Sequence, residues 1–226
     1  FIDRVNKLVD KTIYYGKKNE IQKLNVANLG DLLSGLIHVS TRVQSNENVI
    51  EQITFVSETL AEILGTLSST FEEVVFYNIC GNHSRVMANK SDVGIKENFE
   101  NIIPWFLQAR LSHVKNLTIV NEQDGIAEAE IYDSKLILVH GDYDNVQNSY
   151  AKLPQLLGYV PNYIVSGHVH HHFEKEFGET TAIVNGSLVG VDDYAMKGRY
   201  SAKPSQKFIV FDDDEGLVCV YQIKLN

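Results

Sequence analysis

Four times in this 226-residue chain an apolar, strand-like run stops abruptly at a glycine flanked by side chains that can hold a metal. These ends are Gly30-Asp31, Gly81-Asn82-His83, His140-Gly141-Asp142 and Gly167-His168-Val169-His170. Glycine lets the backbone turn sharply and lets other groups approach closely. In open α/β sheets, ligands bind in the crevice beyond the carboxyl ends of the strands. A fold that brings the four ends together therefore gathers Asp, Asn and His at one place. That mixed set of oxygen and imidazole donors suits Mn2+, Fe, Zn2+ or Ni2+ better than Ca2+.

The intervening pattern predicts an α/β chain. Ile2, Val5, Leu8, Val9 and Ile13 recur at helical spacing, with Gly16 as the expected stop. Leu24 to Leu29 reads as a strand. Val49, Ile50, Ile53, Val56, Leu60, Ile63 and Leu64 mark a longer helix, with Ser45 and Asn46 as candidate caps. Val74 to Cys80 is a second strand, and a helix from Phe99 to Leu111 holds Pro104 in its first turn or bends there. Later strands are expected at Leu117 to Val120, Ala129 to Tyr132, Leu136 to His140, Tyr163 to Ser166, Ala182 to Val184, Phe208 to Phe211 and Leu217 to Ile223. A helix near Val146 to Leu157 interrupts them, and an acidic turn from Asp212 to Gly216 joins the last two. With no linker or internal repeat, one domain over residues 1–226 is the simplest organisation.

Composition narrows the functional classes. Hydrophobic residues make up 44% and charged residues 22%, which excludes a disordered or fibrous chain. No apolar run approaches the roughly 20 residues that span a bilayer, so no membrane partner is expected. A net charge of −9 repels a polyanion unless metal or local positive charge intervenes, which argues against long duplex DNA. Cys80 and Cys219 form no close metal-type pair and suit a reducing compartment, and a cytoplasmic setting is expected.

The order and wide spacing of the four clusters resemble the calcineurin-like metallophosphoesterase superfamily. Its pattern runs D-x-H, G-D, G-N-H-[DE], a His beside Gly, then G-H-x-H. The resemblance implies a four-layer α/β/β/α sandwich and two divalent transition metal ions, Mn2+ foremost. It implies that Asp31 bridges the two metals, that Asn82, His140 and His168 complete one site, and that His170 belongs to the other. His83 then lies beside the substrate phosphate as a transition-state stabiliser or a proton donor to the leaving oxygen. The implied reaction is attack of a metal-bridging hydroxide on phosphorus. Two cations roughly 3.5–4 Å apart lower the pKa of that nucleophile and screen the phosphoryl oxygens. The implied substrate is a phosphate ester, with a phosphodiester (a nucleotide or nucleic acid) weighed above a phosphomonoester.

Two departures shape the expectations. No D-x-H occurs, and its strand is expected upstream of Phe1, before the opening helix. Ser84 stands where the family usually has Asp or Glu, a carboxylate that would orient His83. These departures motivate the alternative of a catalytically inactive scaffold or binding module with the same fold.

Other polar residues have plainer readings. His38 and His113 are read as structural, and at most one of His171 and His172 is expected to reach the metals. Asp142 and Asp144 serve equally well as turn residues or as supports for the ligands, and Asn185-Gly186-Ser187 reads as an ordinary turn. Two basic stretches follow site elements: Arg85, Lys90 and Lys96, then Lys197, Arg199, Lys203 and Lys207. From these, Arg85 and Arg199 are candidate contacts to a substrate phosphate.

Overall fold

The computed structural model describes residues 1–38, 42–43, 45–190 and 203–226. The chain forms two compact units, one from Glu20 to Gly125 and the other from Phe1–Asn19 together with Ile126–Asn226.

The Glu20–Gly125 unit is built on a parallel sheet in the order β1 (Lys23–Asn28), β2 (Glu73–Asn78), β3 (Leu117–Asn121). Every residue of central strand β2 after Glu73 is buried, as a parallel strand covered on both faces requires. The crossovers carry α2 (Val49–Ser68) and α3 (Ile102–Arg110). Helix α2 starts later than the candidate caps Ser45 and Asn46. Asn48 accepts the N–H groups of Ile50 and Glu51, and Glu51 reaches back to the Asn48 N–H. Only Asn48 has a Glu three residues on, so the reciprocal box forms there and contributes about 1 kcal/mol. The expected helix from Phe99 divides into a short 3₁₀ turn, Phe99–Asn101, and α3, with Pro104 in its first turn.

One asparagine stands at matching register on each strand of this sheet: Asn28, Asn78 and Asn121. Asn28 Nδ2 donates to Asn78 Oδ1 at 2.9 Å, and Asn78 Nδ2 donates to Asn121 Oδ1 at 3.4 Å. This ladder locks the carboxyl ends of the strands together just before the first two chemical clusters begin.

The other unit holds a mixed five-stranded sheet in the order β4 (Ile126–Ile131), β5 (Ser134–Val139), β6 (Tyr163–Ser166), β8 (Thr180–Val184), β7 (Phe173–Phe177). Strands β5, β6 and β8 run parallel, and β4 and β7 are antiparallel edges. Helix α4 (Val146–Leu157) links β5 to β6, and its Leu153 packs into a core with Ile137, Val139 and Ile164. An antiparallel pair, β9 (Ser205–Asp212) with β10 (Gly216–Lys224), completes the unit. On it lies α1 (Ile2–Lys18), whose Tyr15 stacks on Tyr221 at 4.2 Å between ring centroids. Helix α1 does not stop at Gly16, which is buried within it. It ends at Lys18, where the Asn19 side chain caps the Tyr15 carbonyl.

Both units are mixed α/β, as the pattern predicted. Among the described residues, no helix is long and apolar enough to cross a membrane.

Candidate metal centre

In the Glu20–Gly125 unit, the chain leaving β1 reverses through two successive left-handed residues, Gly30 at φ 91° and Asp31 at φ 59°. Asn28 Oδ1 steers this turn by accepting the Gly30 N–H at 3.0 Å. Asp31 Oδ1 then accepts the His83 N–H at 3.0 Å, and His83 Nε2 lies 3.9 Å from Asp31 Oδ2. Gly81 is required here: a Cβ on it would come within 2.1 Å of both the Asp31 backbone N and Oδ1. Gly35, at φ +66°, passes so close that a Cβ would fall 1.8 Å from the His83 carbonyl oxygen. The Gly-Asp and Gly-Asn-His clusters are thus in direct backbone contact within one unit.

Asn82 lies in the same turn, its carbonyl accepting the Arg85 N–H at 3.4 Å. Arg85 is half-buried and bridges Asn98 through its backbone. His38, read as structural from sequence, packs its ring edge-on against His83 with centroids 4.9 Å apart. Burial holds the His38 imidazole below its ordinary pKa, and neighbouring His83 adds to the effect. The Asp31 charge opposes it, and Arg85 depresses the value a little further.

Sequence reasoning passed over Glu100, which is fully buried. It accepts hydrogen bonds from the backbone N–H groups of Leu32 and Gly81 and from the Ser84 hydroxyl. The only sequence signal was an acidic residue in the polar loop after Gly-Asn-His. Cys80 beside it is half-buried: burial, then the Glu100 charge, pushes its thiol well above the ordinary range, and it donates to Asn101 Oδ1 at 3.0 Å.

In the second unit, parallel pairing aligns Val139 with Ser166, so the residues just beyond them are neighbours. The Gly167 N–H donates to the His140 carbonyl at 3.0 Å, and His168 follows at once. His140 is only 6% exposed, and its Nε2 faces His168 Nδ1 at 3.2 Å. Gly141, at φ +115°, leaves room for His168, whose Cβ would be 3.1 Å from a Cβ at position 141. His168 and His170 both adopt left-handed backbone, at φ 66° and 65°. The His170 carbonyl accepts the Ser187 N–H at 3.1 Å, tying this turn to the segment after β8.

The donors fit a divalent transition metal. Two neutral imidazole nitrogens facing each other cannot both present lone pairs without repulsion, so a proton or a cation belongs between them. In the Glu20–Gly125 unit, Asp31 in its Gly-rich turn and Asn82 after Gly81 carry oxygen donors of the kind divalent metals take.

The remaining candidates have other surroundings. His113, His171 and His172 are exposed, and His113 is therefore no core residue. Asp142 and Asp144 lie in the bends between β5 and α4. Asn185 bonds to Gln206 and accepts the Lys207 N–H, which joins its turn to β9. The Lys207 ammonium pairs with Glu174. Arg199 lies outside the described residues.

No protein-family model matches the chain. It is similar to the SPbeta prophage-derived uncharacterized protein YonJ of Bacillus subtilis (strain 168), 23% identical over 236 residues that cover 100% of this chain and 58% of that protein. The chain thus spans less than two thirds of that relative's length. Among solved structures it is similar to a novel archaeal phosphodiesterase, with a TM-score of 0.47, 12% identity, and coverage of 96% of this chain and 90% of that one. It is also similar to Vps29 of Chaetomium thermophilum, with a TM-score of 0.42, 11% identity, and coverage of 88% and 95%. Vps29 of Entamoeba histolytica complexed with zinc gives a TM-score of 0.38, 15% identity, and coverage of 90% and 98%.

Proposed function

We propose that this chain hydrolyses phosphate esters, phosphodiesters ahead of phosphomonoesters, with two divalent transition metal ions, Mn2+ foremost. Asp31, Asn82, His140 and His168 would hold one ion, and Asp31 and His170 would contribute to the other. The observation that carries this reading is where the backbone is strained. Among the described residues, five that are not glycine adopt positive φ: Glu20, Asp31, Tyr132, His168 and His170. Three of the five are the proposed ligands, and such strain, of order 1–3 kcal/mol per residue, gathers where function over-determines the backbone.

When bound, the ions supply charge neutralisation for the phosphate and a lowered pKa for water. The chain's own residues do the rest. Asp31 fixes the His83 backbone through a charge-assisted hydrogen bond. His83, thus placed, holds a proton toward the leaving oxygen. Arg85 adds positive charge beside His38 and His83 in a chain that is otherwise acidic. The two free cysteines accord with a cytoplasmic location.

The test is turnover of bis-p-nitrophenyl phosphate and p-nitrophenyl phosphate by the full-length protein with Mn2+. Release of p-nitrophenol, faster from the diester, supports the reading. If both substrates stay intact, the enzyme reading fails and the inactive scaffold takes its place.

A further inference from the structure

We infer that Glu100 is a positioning residue of the proposed centre, fastening from a distant loop the turn after β1 to the turn after β2; this inference rests on the phosphoesterase reading. Glu100 sits in the 3₁₀ turn Phe99–Asn101, with no solvent exposure. Oε1 accepts the Leu32 N–H at 2.9 Å and the Leu33 N–H at 3.4 Å. The Ser84 hydroxyl donates to the same oxygen, and Oε2 accepts the Gly81 N–H at 3.0 Å. Leu32 directly follows Asp31, while Gly81 and Ser84 bracket Asn82-His83. One buried carboxylate therefore fastens the turn bearing the proposed bridging ligand to the turn bearing the proposed proton donor.

Its own placement is built in. Asn98 Oδ1 accepts the Glu100 N–H at 2.9 Å, and Asn98 Nδ2 donates to the Gly81 carbonyl at 2.8 Å. Backbone N–H donors thus reach both Glu100 oxygens, those of Leu32 and Leu33 at Oε1 and that of Gly81 at Oε2. Ser84 then has a reason to be a small hydroxyl residue: it links the turn to Glu100 and leaves room for it.

The experiment is a Mn2+ titration followed by electron paramagnetic resonance, paired with bis-p-nitrophenyl phosphate kinetics, on wild type, Glu100→Gln and Ser84→Ala. Glutamine keeps the shape but turns an N–H2 toward a bound donor whichever way it is flipped. Glu100→Gln is expected to bind Mn2+ at least tenfold more weakly, with a lower kcat, at temperatures where circular dichroism shows it folded. Ser84→Ala, which removes one arm only, is expected to weaken Mn2+ binding about two- to fivefold, short of the roughly tenfold lower bound for losing a supporting contact. A folded Glu100→Gln with wild-type Mn2+ affinity and kcat overturns the inference while leaving the phosphoesterase reading standing. If Glu100→Gln does not fold, Ser84→Ala decides, and wild-type affinity in it overturns the inference. A wild type that neither binds Mn2+ nor hydrolyses the ester overturns both.

Discussion

His140 Nε2 and His168 Nδ1 face each other at 3.2 Å across 28 residues of sequence. Parallel pairing of β5 with β6 produces this meeting, because the Gly167 N–H extends the ladder to the His140 carbonyl. The left-handed turn at His168 then swings its ring toward its partner. If the pair holds an ion, His140→Ala and His168→Ala should each lose more Mn2+ affinity than the roughly 10–100-fold that removal of a supporting contact costs. Isothermal titration with MnCl2 reads this directly, and a wild-type affinity in either variant would show that the pair is structural.

His83 has a separate role. It is held by Asp31 through its backbone N–H, and its ring lies against His38. His83→Ala keeps that N–H, so the variant should retain its metal and lose about 10²–10⁴-fold in kcat as proton transfer is removed. Metal content by plasma emission spectroscopy, alongside the rate, separates the roles; loss of metal in step with the rate would contradict them.

Gly81 tests the backbone contact between the two turns. Alanine there would drive a methyl group into the Asp31 backbone and carboxylate, so the Asp31 turn must move. Gly81→Ala is expected to destabilise the protein by about 1–3 kcal/mol in urea melts and to weaken Mn2+ binding in the folded protein. Undiminished Mn2+ affinity would mean that Asp31 tolerates displacement and that the close approach is incidental.

Much of this was legible because each cluster is local in sequence. A strand ending in Gly-Asp or Gly-Asn-His carries its turn chemistry and its donors within three residues. Helix α4, expected near Val146 to Leu157, was readable for the same kind of reason, since a helix is set by local sequence. Strand β7 was not, because Phe-Glu-Lys-Glu-Phe shows only two apolar positions and pairs on one side as an edge. Glu100 was invisible because its importance comes from donors 16, 19 and 68 residues away. His38 lacked a signal for the same reason: its ring meets that of His83, far off in sequence, where Gly35 also passes close to the His83 carbonyl.

Cys80 supplies a check on the interior beside the site. Burial and the Glu100 charge raise its thiol pKa, so little thiolate exists at pH 8 and alkylation should be slow. Iodoacetamide labelling followed by peptide mass spectrometry should find Cys80 unmodified in the native protein and labelled after denaturation. Rapid native labelling would place this thiol, and Glu100 with it, in a more open environment.

Metal-activated diester hydrolysis, measured against Mn2+ concentration for wild type and Asp31→Ala, bears most directly on the proposed chemistry. The wild type should show saturable activation that Asp31→Ala lacks across the whole titration. Equal turnover in the two proteins, or turnover indifferent to Mn2+, would contradict a metal centre organised around Asp31.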